Sequence, residues 1–237
     1  MCGRYSLAAP GDTLAQLRSR FPLGESVEIR RRYNVCPGDE VVSVTTTREG
    51  EPRGDLLRWG LVPHWAQDPS VGYKMINARA ETVAERPAFR DSFRGRRCLI
   101  IADGFYEWQK RPGRSKLPWH VTRSDGAPFA FAGLWAVWHG PNGEKLRTCT
   151  IITTEANSAL TDIHPRMPVM LPGPDAERAW LDPGTPQHAL HELLVPPPPV
   201  AIRRRAVGPA VNDPRNDGPE CLADAPEEGT EPATLFS

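Results

Sequence analysis

The 237 residues are 39% hydrophobic, and no apolar run approaches the roughly 18 residues that a bilayer-spanning helix needs, so an integral helical membrane protein is excluded and one domain with a proper core is expected. Twenty-six prolines and 20 glycines favour turns and ordered loops over a helical bundle. The formal charge is zero, yet seven of the acidic residues fall between Asp213 and Ser237, which leaves the preceding body with a surplus of six positive charges.

The elements follow in chain order. Residues 10 to 21 (PGDTLAQLRSRF) read as a short amphipathic helix with Leu14, Leu17 and Phe21 on one face and Asp12 as N-cap. Segments rich in β-branched and aromatic residues, bounded by Gly, Pro or Asp, predict strands at 41–47, 56–62, 96–102, 105–110, 118–123, 129–138, 147–154 and 200–207. Short helices are predicted around 78–85, 156–162, 175–181 and 186–194, and Pro196 to Pro199 reads as a rigid extended connector. The fold class is α+β and β-dominated: a curved sheet or partly open barrel flanked by short helices, in one domain over residues 1–222. The tail 223–237 is acidic, poor in apolar residues and expected to be disordered.

Five cysteines without a CxxC spacing indicate neither a disulfide framework nor a zinc knuckle, so reduced thiols are expected. His188 and His191 share a helical pattern with no further ligand nearby and read as solvated helix residues; no metal and no cofactor are expected. The opening MCGRYSL has neither region of a secretory signal, which points to a soluble, cytoplasmic protein. Twenty-five arginines against four lysines supply many planar forks suited to phosphate oxygens. That excess permits nucleic-acid binding, and equally fits a bias in genome composition.

The chemistry starts at Cys2. Removal of Met1 leaves an amine and a thiol on adjacent carbons, with ordinary pKa values of about 8 and 8.5. Such a 1,2-aminothiol attacks a carbonyl twice, the amine giving an imine and the thiol closing a thiazolidine. The alternative for Cys2 is an ordinary packed thiol.

The segments GRYSL (3–7), YNVCPG (33–38), RWGLVPHW (58–65), NARAET (77–82), CLIIADGFYEW (98–108), TTEAN (153–157), HPRMPV (164–169) and VNDPRNDGPEC (211–221) resemble, in order, the SOS response-associated peptidase (SRAP) family. The resemblance implies a β-rich domain with a positive groove leading to the N-terminal cysteine. It implies that Cys2 is the nucleophile and that Asn77, Glu107 and His164 are polar residues of the active site. Asn77 offers a neutral amide hydrogen bond, or instead caps the 78–85 helix. Glu107 alternates in its strand with Tyr106 and Trp108 and is suited to deprotonating the Cys2 ammonium, or is a solvated strand residue. His164 titrates near neutrality and suits protonation of a sugar ring oxygen, or is a loop residue.

By resemblance Arg4 and Arg79 contact DNA phosphates, Arg166 is a further phosphate contact, and Trp65 and Pro37 stack on or wedge against bases. Trp65 is otherwise a core aromatic. The expected partner is single-stranded DNA carrying an abasic site, bound by a monomer and captured as a covalent thiazolidine crosslink, with a weak lyase side activity. The competing classes are an N-terminal thiol peptidase that processes its own leader, and a DNA-binding module in which Cys2 is incidental.

Overall fold

A computed structural model describes residues 2–8, 17–24 and 27–226. Twelve strands and three labelled α-helices cover them. The strands are β1 (Tyr5–Leu7), β2 (Arg32–Val35), β3 (Glu40–Thr46), β4 (Pro52–Trp59), β5 (Asn77–Arg79), β6 (Arg97–Ala102), β7 (Gly104–Gln109), β8 (Leu117–Arg123), β9 (Phe129–His139), β10 (Lys145–Glu155), β11 (Arg166–Pro168) and β12 (Ile202–Ala206). The helices are α1 (Arg90–Gly95), α2 (Pro174–Leu181) and α3 (Gln187–Glu192).

The second sheet closes on itself. Strands β10, β4, β3, β6 and β9 follow one another, and β9 pairs back to β10 with Cys149 opposite Trp135, so five strands form a barrel. Strands β5 and β11 attach to β10 outside that ring. The other sheet has the order β12-β8-β7-β1-β2.

Strand alternation divides the apolar residues between two cores. Val42 and Val44, Leu99 and Ile101, and Ala130, Ala132 and Leu134 pack in one cluster with Trp180 of α2 and Leu190 of α3. Val41, Cys98, Ile100, Phe129 and Phe131 face the other, where Cys2 and, from the β12-β8-β7-β1-β2 sheet, Tyr5 and Phe105 join them. The cysteines at 2, 36, 98, 149 and 221 are free thiols.

The β-dominated class and the eight predicted strands are found, with β4 starting earlier than expected and β12 shorter. Four short strands, β1, β2, β5 and β11, carry too few residues for a period to be read. The helix predicted at 78–85 is corrected: residues 77–79 pair in parallel with Ile151–Thr153, and only one 3-10 turn, Ala80–Thr82, follows. Pairing with β10 overrides the local helix preference of Ala and Glu. The helix predicted at 156–162 is a series of turns in which Asn157 accepts from the Leu160 and Thr161 amides through its carbonyl and from the Ala159 amide through Oδ1. Helices α2 and α3 match the two remaining predictions, while α1 went unpredicted because Phe93 is its one large buried apolar side chain.

Residues 17–20 are helical with Leu17 and Phe21 buried; Leu14, Asp12 and the rest of that predicted helix lie outside the described residues. Beyond β12 the chain stays packed, with the Gly208 amide donating to the Ala223 carbonyl at 2.8 Å and Val207 bridging Asp224. The expected disorder of 223–237 is thus corrected at its start, where residues 223–226 pack on β12 and its extension, and the remainder, 227–237, lies outside the described residues. His188 and His191 are both exposed on α3, and His191 packs its ring 5.2 Å from that of Phe93. No helix among the described residues is long and apolar enough to cross a membrane.

Candidate active site

Strand β1 delivers Cys2 to the junction of the two sheets. Tyr5 pairs with Phe105 and Ser6 with Gly104, and the Tyr106 amide donates to the Arg4 carbonyl at 3.0 Å. Extending that register sets Gly3 opposite Glu107. From the barrel side, Asn77 at the start of β5 donates its Nδ2 to the Cys2 carbonyl at 2.8 Å. The Asn77 Oδ1 is buried and accepts nothing from the described residues, so it is an open acceptor for a hydroxyl or N–H of a bound molecule.

Two sets of contacts immobilise β1 behind Cys2. Tyr5 packs its ring 5.4 Å from Trp59 and 5.8 Å from Phe131. On the opposite face Ser6 Oγ donates to Asp103 Oδ1 at 2.5 Å and meets His120 Nε2 at 2.9 Å, while the Ala8 amide donates to Asp103 Oδ2 at 2.5 Å. The single Ser6 hydroxyl proton goes to Asp103, so His120 is the donor through Nε2. Glycine is required at 104: a Cβ there would sit 2.2 Å from His120 Nε2.

Burial shifts the titration of Cys2, Glu107 and His164 alike. Cys2 is fully buried; burial drives its thiol well above the ordinary range, and the Glu107 carboxylate pushes it further. The thiol is thus held above the ordinary value of about 8.5 expected from the sequence. Glu107 is 4% exposed, and burial raises its carboxyl to about 7 against the opposing charge of the amino terminus. A group titrating there takes and returns protons at neutral pH. His164 is lowered from its usual value, first by burial and then by the amino-terminal charge. Its Nδ1 accepts from the Arg166 amide at 3.0 Å, and the Arg166 carbonyl lies 3.1 Å away, so the ring has a backbone partner in either protonation state.

The residues expected to meet DNA differ in how they are held. Arg4 is half-buried, with Nη1 donating to Asn34 Oδ1 and to the Val211 carbonyl, each at 2.9 Å, and its guanidinium lies 6.0 Å from the Trp108 ring. Beside it opens a depression of about 430 Å³ lined by Arg4, Trp108, Ser115, Lys116 and Asn212. Arg79 is exposed, and its charge acts on Glu81. Trp65 is 54% exposed, so it is not a core aromatic, and Pro37 is half-buried in the β2–β3 turn. Arg166 is committed internally: it grips Glu81 with bonds of 2.5 and 3.0 Å and donates to the Thr153 carbonyl at 2.6 Å.

Sequence reasoning missed Asn34 and Asp217. Asn34 is buried, and its Nδ2 donates to the carbonyls of Asp213 and Asn216, while Asp217 accepts from the Tyr33 and Asn34 amides. The segment from Val211 to Asp217 thus wraps β2 and fixes Arg4. Both residues stand in quoted motifs, but their pairing spans 183 positions, which no local pattern reports.

A buried Cys2 held through its carbonyl by the Asn77 amide and acted on by the Glu107 carboxylate, at the seam of a closed five-stranded barrel and the other sheet, defines a β-dominated protein with its second residue at the meeting of its two sheets. The chain belongs to the SOS response associated peptidase (SRAP) family, whose sequence model matches residues 1–214. It is 42% identical to abasic site processing protein YoaM of Bacillus subtilis over 94% of this chain and 97% of that protein. It is 32% identical to abasic site processing protein HMCES of Xenopus tropicalis over 84% of this chain and 68% of that protein. Among solved structures, a protein from Bacteroides thetaiotaomicron superposes with a TM-score of 0.82 at 25% identity, covering 94% of this chain and all of that one. A protein from Bordetella bronchiseptica gives 0.74 at 28%, covering 87% of this chain.

Proposed function

We propose that this chain processes abasic sites in single-stranded DNA by forming a thiazolidine crosslink through Cys2 after Met1 is removed. The observation that carries the reading is the convergence on Cys2: Asn77 holds its carbonyl, and the Glu107 carboxylate acts on its thiol. The names of the relatives supply the substrate class.

His164 protonates the ring oxygen of the abasic sugar as it opens, and Asn77 Oδ1 accepts from the hydroxyl so released. Glu107 removes a proton from the Cys2 ammonium. The amine adds to the aldehyde carbon, and loss of water, with Glu107 returning the proton, gives the imine. The thiol then adds to the same carbon: a C–S bond forms, the sulfhydryl proton passes to nitrogen, and the five-membered ring closes. A buried, protonated thiol suits this order, because it leaves the first attack to the amine. If sulfur attack lags, the imine permits β-elimination, a weak lyase side reaction. Arg4 and Arg79 bind the flanking phosphates, Trp65 and Pro37 meet the adjacent bases, and Arg166, held by Glu81, is a secondary phosphate contact.

The peptidase reading is disfavoured by the same thiol. A thiol peptidase needs a thiolate, and both burial and Glu107 oppose one at Cys2. The test is a denaturing gel of the protein with abasic and intact oligonucleotides, repeated with Cys2→Ala. A covalent species that needs both the lesion and Cys2 is expected. Absence of that species, or its formation on intact DNA, would overturn the proposal.

A further inference from the structure

The exposed large aromatic side chains among the described residues are Trp65 and Tyr73, at 54% and 58%, and both lie on the connection from β4 to β5. That connection ends at Asn77. Tyr73 is four residues before it, so the two Cα atoms are at most about 14 Å apart.

Tyr73 is exposed but not loose. It stands in the 3-10 turn Pro69–Lys74, whose first turn is closed by Asp68 accepting from the Ser70 amide at 2.7 Å. The turn is seated backbone to backbone on the end of β4: a Cβ at Gly60 would lie 2.8 Å from the Gly72 carbonyl oxygen, and one at Gly72 2.6 Å from that of Gly60. Gly60 also has φ of +125°, so this contact requires glycine on both sides. The Leu61 amide donates to the Met75 carbonyl at 3.1 Å and closes the far end.

The ring is held as firmly as its backbone. Arg58 donates Nη2 to the Tyr73 hydroxyl at 3.2 Å, with its guanidinium 5.6 Å from the ring centroid. A Cβ at Gly38, the neighbour of Pro37, would stand 3.2 Å from Tyr73 Cε1, so the ring edge rests on the β2–β3 turn. That turn continues through Cys36, whose thiol feels the charge of Arg4. An aromatic pinned at its edge and hydroxyl, with its exposed surface facing solvent and the cations Arg58 and Lys74 beside it, matches a flat, electron-rich, anion-linked ligand.

We propose that Tyr73 is a stacking platform for one unpaired base of the DNA strand on the Asn77 side of the lesion, with Arg58 locking the ring and drawing in the phosphate backbone. This rests on the DNA reading above and adds a recognition residue to it. Stacking on a preset ring is tolerant of base identity, so the platform contributes affinity without sequence preference.

The test uses full-length protein carrying Cys2→Ala, so that only non-covalent binding is read, and a single-stranded oligonucleotide with a central tetrahydrofuran abasic analogue. By fluorescence anisotropy Tyr73→Ala should raise Kd about 5- to 100-fold, while Tyr73→Phe stays close to the parent. Replacing the stacked base by a second tetrahydrofuran should cost the parent the same factor and cost Tyr73→Ala nothing. Equal affinity of Tyr73→Ala and parent, or equal losses for both proteins at every base removed, would overturn the platform. With Cys2 restored, Tyr73→Ala should crosslink at the parental rate once protein saturates the DNA. A parent that crosslinks while Tyr73→Ala binds normally sinks the platform alone, and a parent that neither binds nor crosslinks sinks the DNA reading with it.

Discussion

Asn77, on a strand attached to the barrel, holds the backbone carbonyl of Cys2, which leads into a strand of the other sheet, at 2.8 Å. One hydrogen bond therefore ties Cys2 to a second, independently anchored element.

Removing that tie should affect chemistry more than stability. Asn77→Ala is expected to cost about 1 kcal/mol of unfolding free energy, the net worth of one hydrogen bond. Single-turnover crosslinking should slow by roughly 100-fold, because the amine and thiol lose their fixed position. Parallel loss, in which the rate falls only as far as the unfolded fraction grows, would make Asn77 purely structural.

Glu107 should govern the pH dependence of amine attack. An ordinary surface carboxylate would serve as base in mild acid, but burial lifts this one to about 7. Below that pH it holds its proton and cannot take one from the ammonium. The deficit of Glu107→Gln should thus be greatest between about pH 7 and 8 and shrink both towards about pH 5, where the carboxyl is protonated, and above about pH 8, where the amine is already free. Single-turnover rates across that range check it, and a deficit constant with pH would remove Glu107 as the base.

The arginines should separate into three behaviours. Arg79→Ala should reduce the slope of log affinity against log salt by about 1 and leave thermal stability unchanged. Arg4→Ala should reduce the slope similarly and also lower stability, since it strips hydrogen bonds from Asn34 and the Val211 carbonyl. Arg166→Ala should lower stability mainly, by leaving Glu81 without its bidentate partner. Salt titrations by anisotropy with melting curves on the three variants distinguish these outcomes.

His120 should make the fold acid-sensitive. Burial depresses its pKa from 6.5 to about 3. Its contribution is therefore complete above pH 6.5 and is lost as pH falls through that window, where the unfolded chain takes up a proton that the folded chain refuses. The loss is on the order of a few kcal/mol by pH 3. Acid unfolding followed by circular dichroism should shift to lower pH in His120→Gln, and an unmoved midpoint would exclude His120 as the determinant.

The sequence by itself determined the β-dominated class, the long strands and the family. Residues such as Val42 and Val44, Leu99 and Ile101, or Ala130 and Ala132 write their period of two over enough positions to be read, and the motifs around Cys2, Asn77, Glu107 and His164 name their own residues. The tertiary structure decided what those residues experience. Asn77 is a strand residue because β10 pairs with it, and a three-residue strand has no periodicity of its own. Arg166 is occupied by Glu81 from 85 positions away, while Arg79 remains exposed. The buried Cys2 thiol and the carboxyl of Glu107 at about 7 follow from desolvation where the two sheets meet. Desolvation depends on which surfaces close over a group, and chain order alone does not specify that.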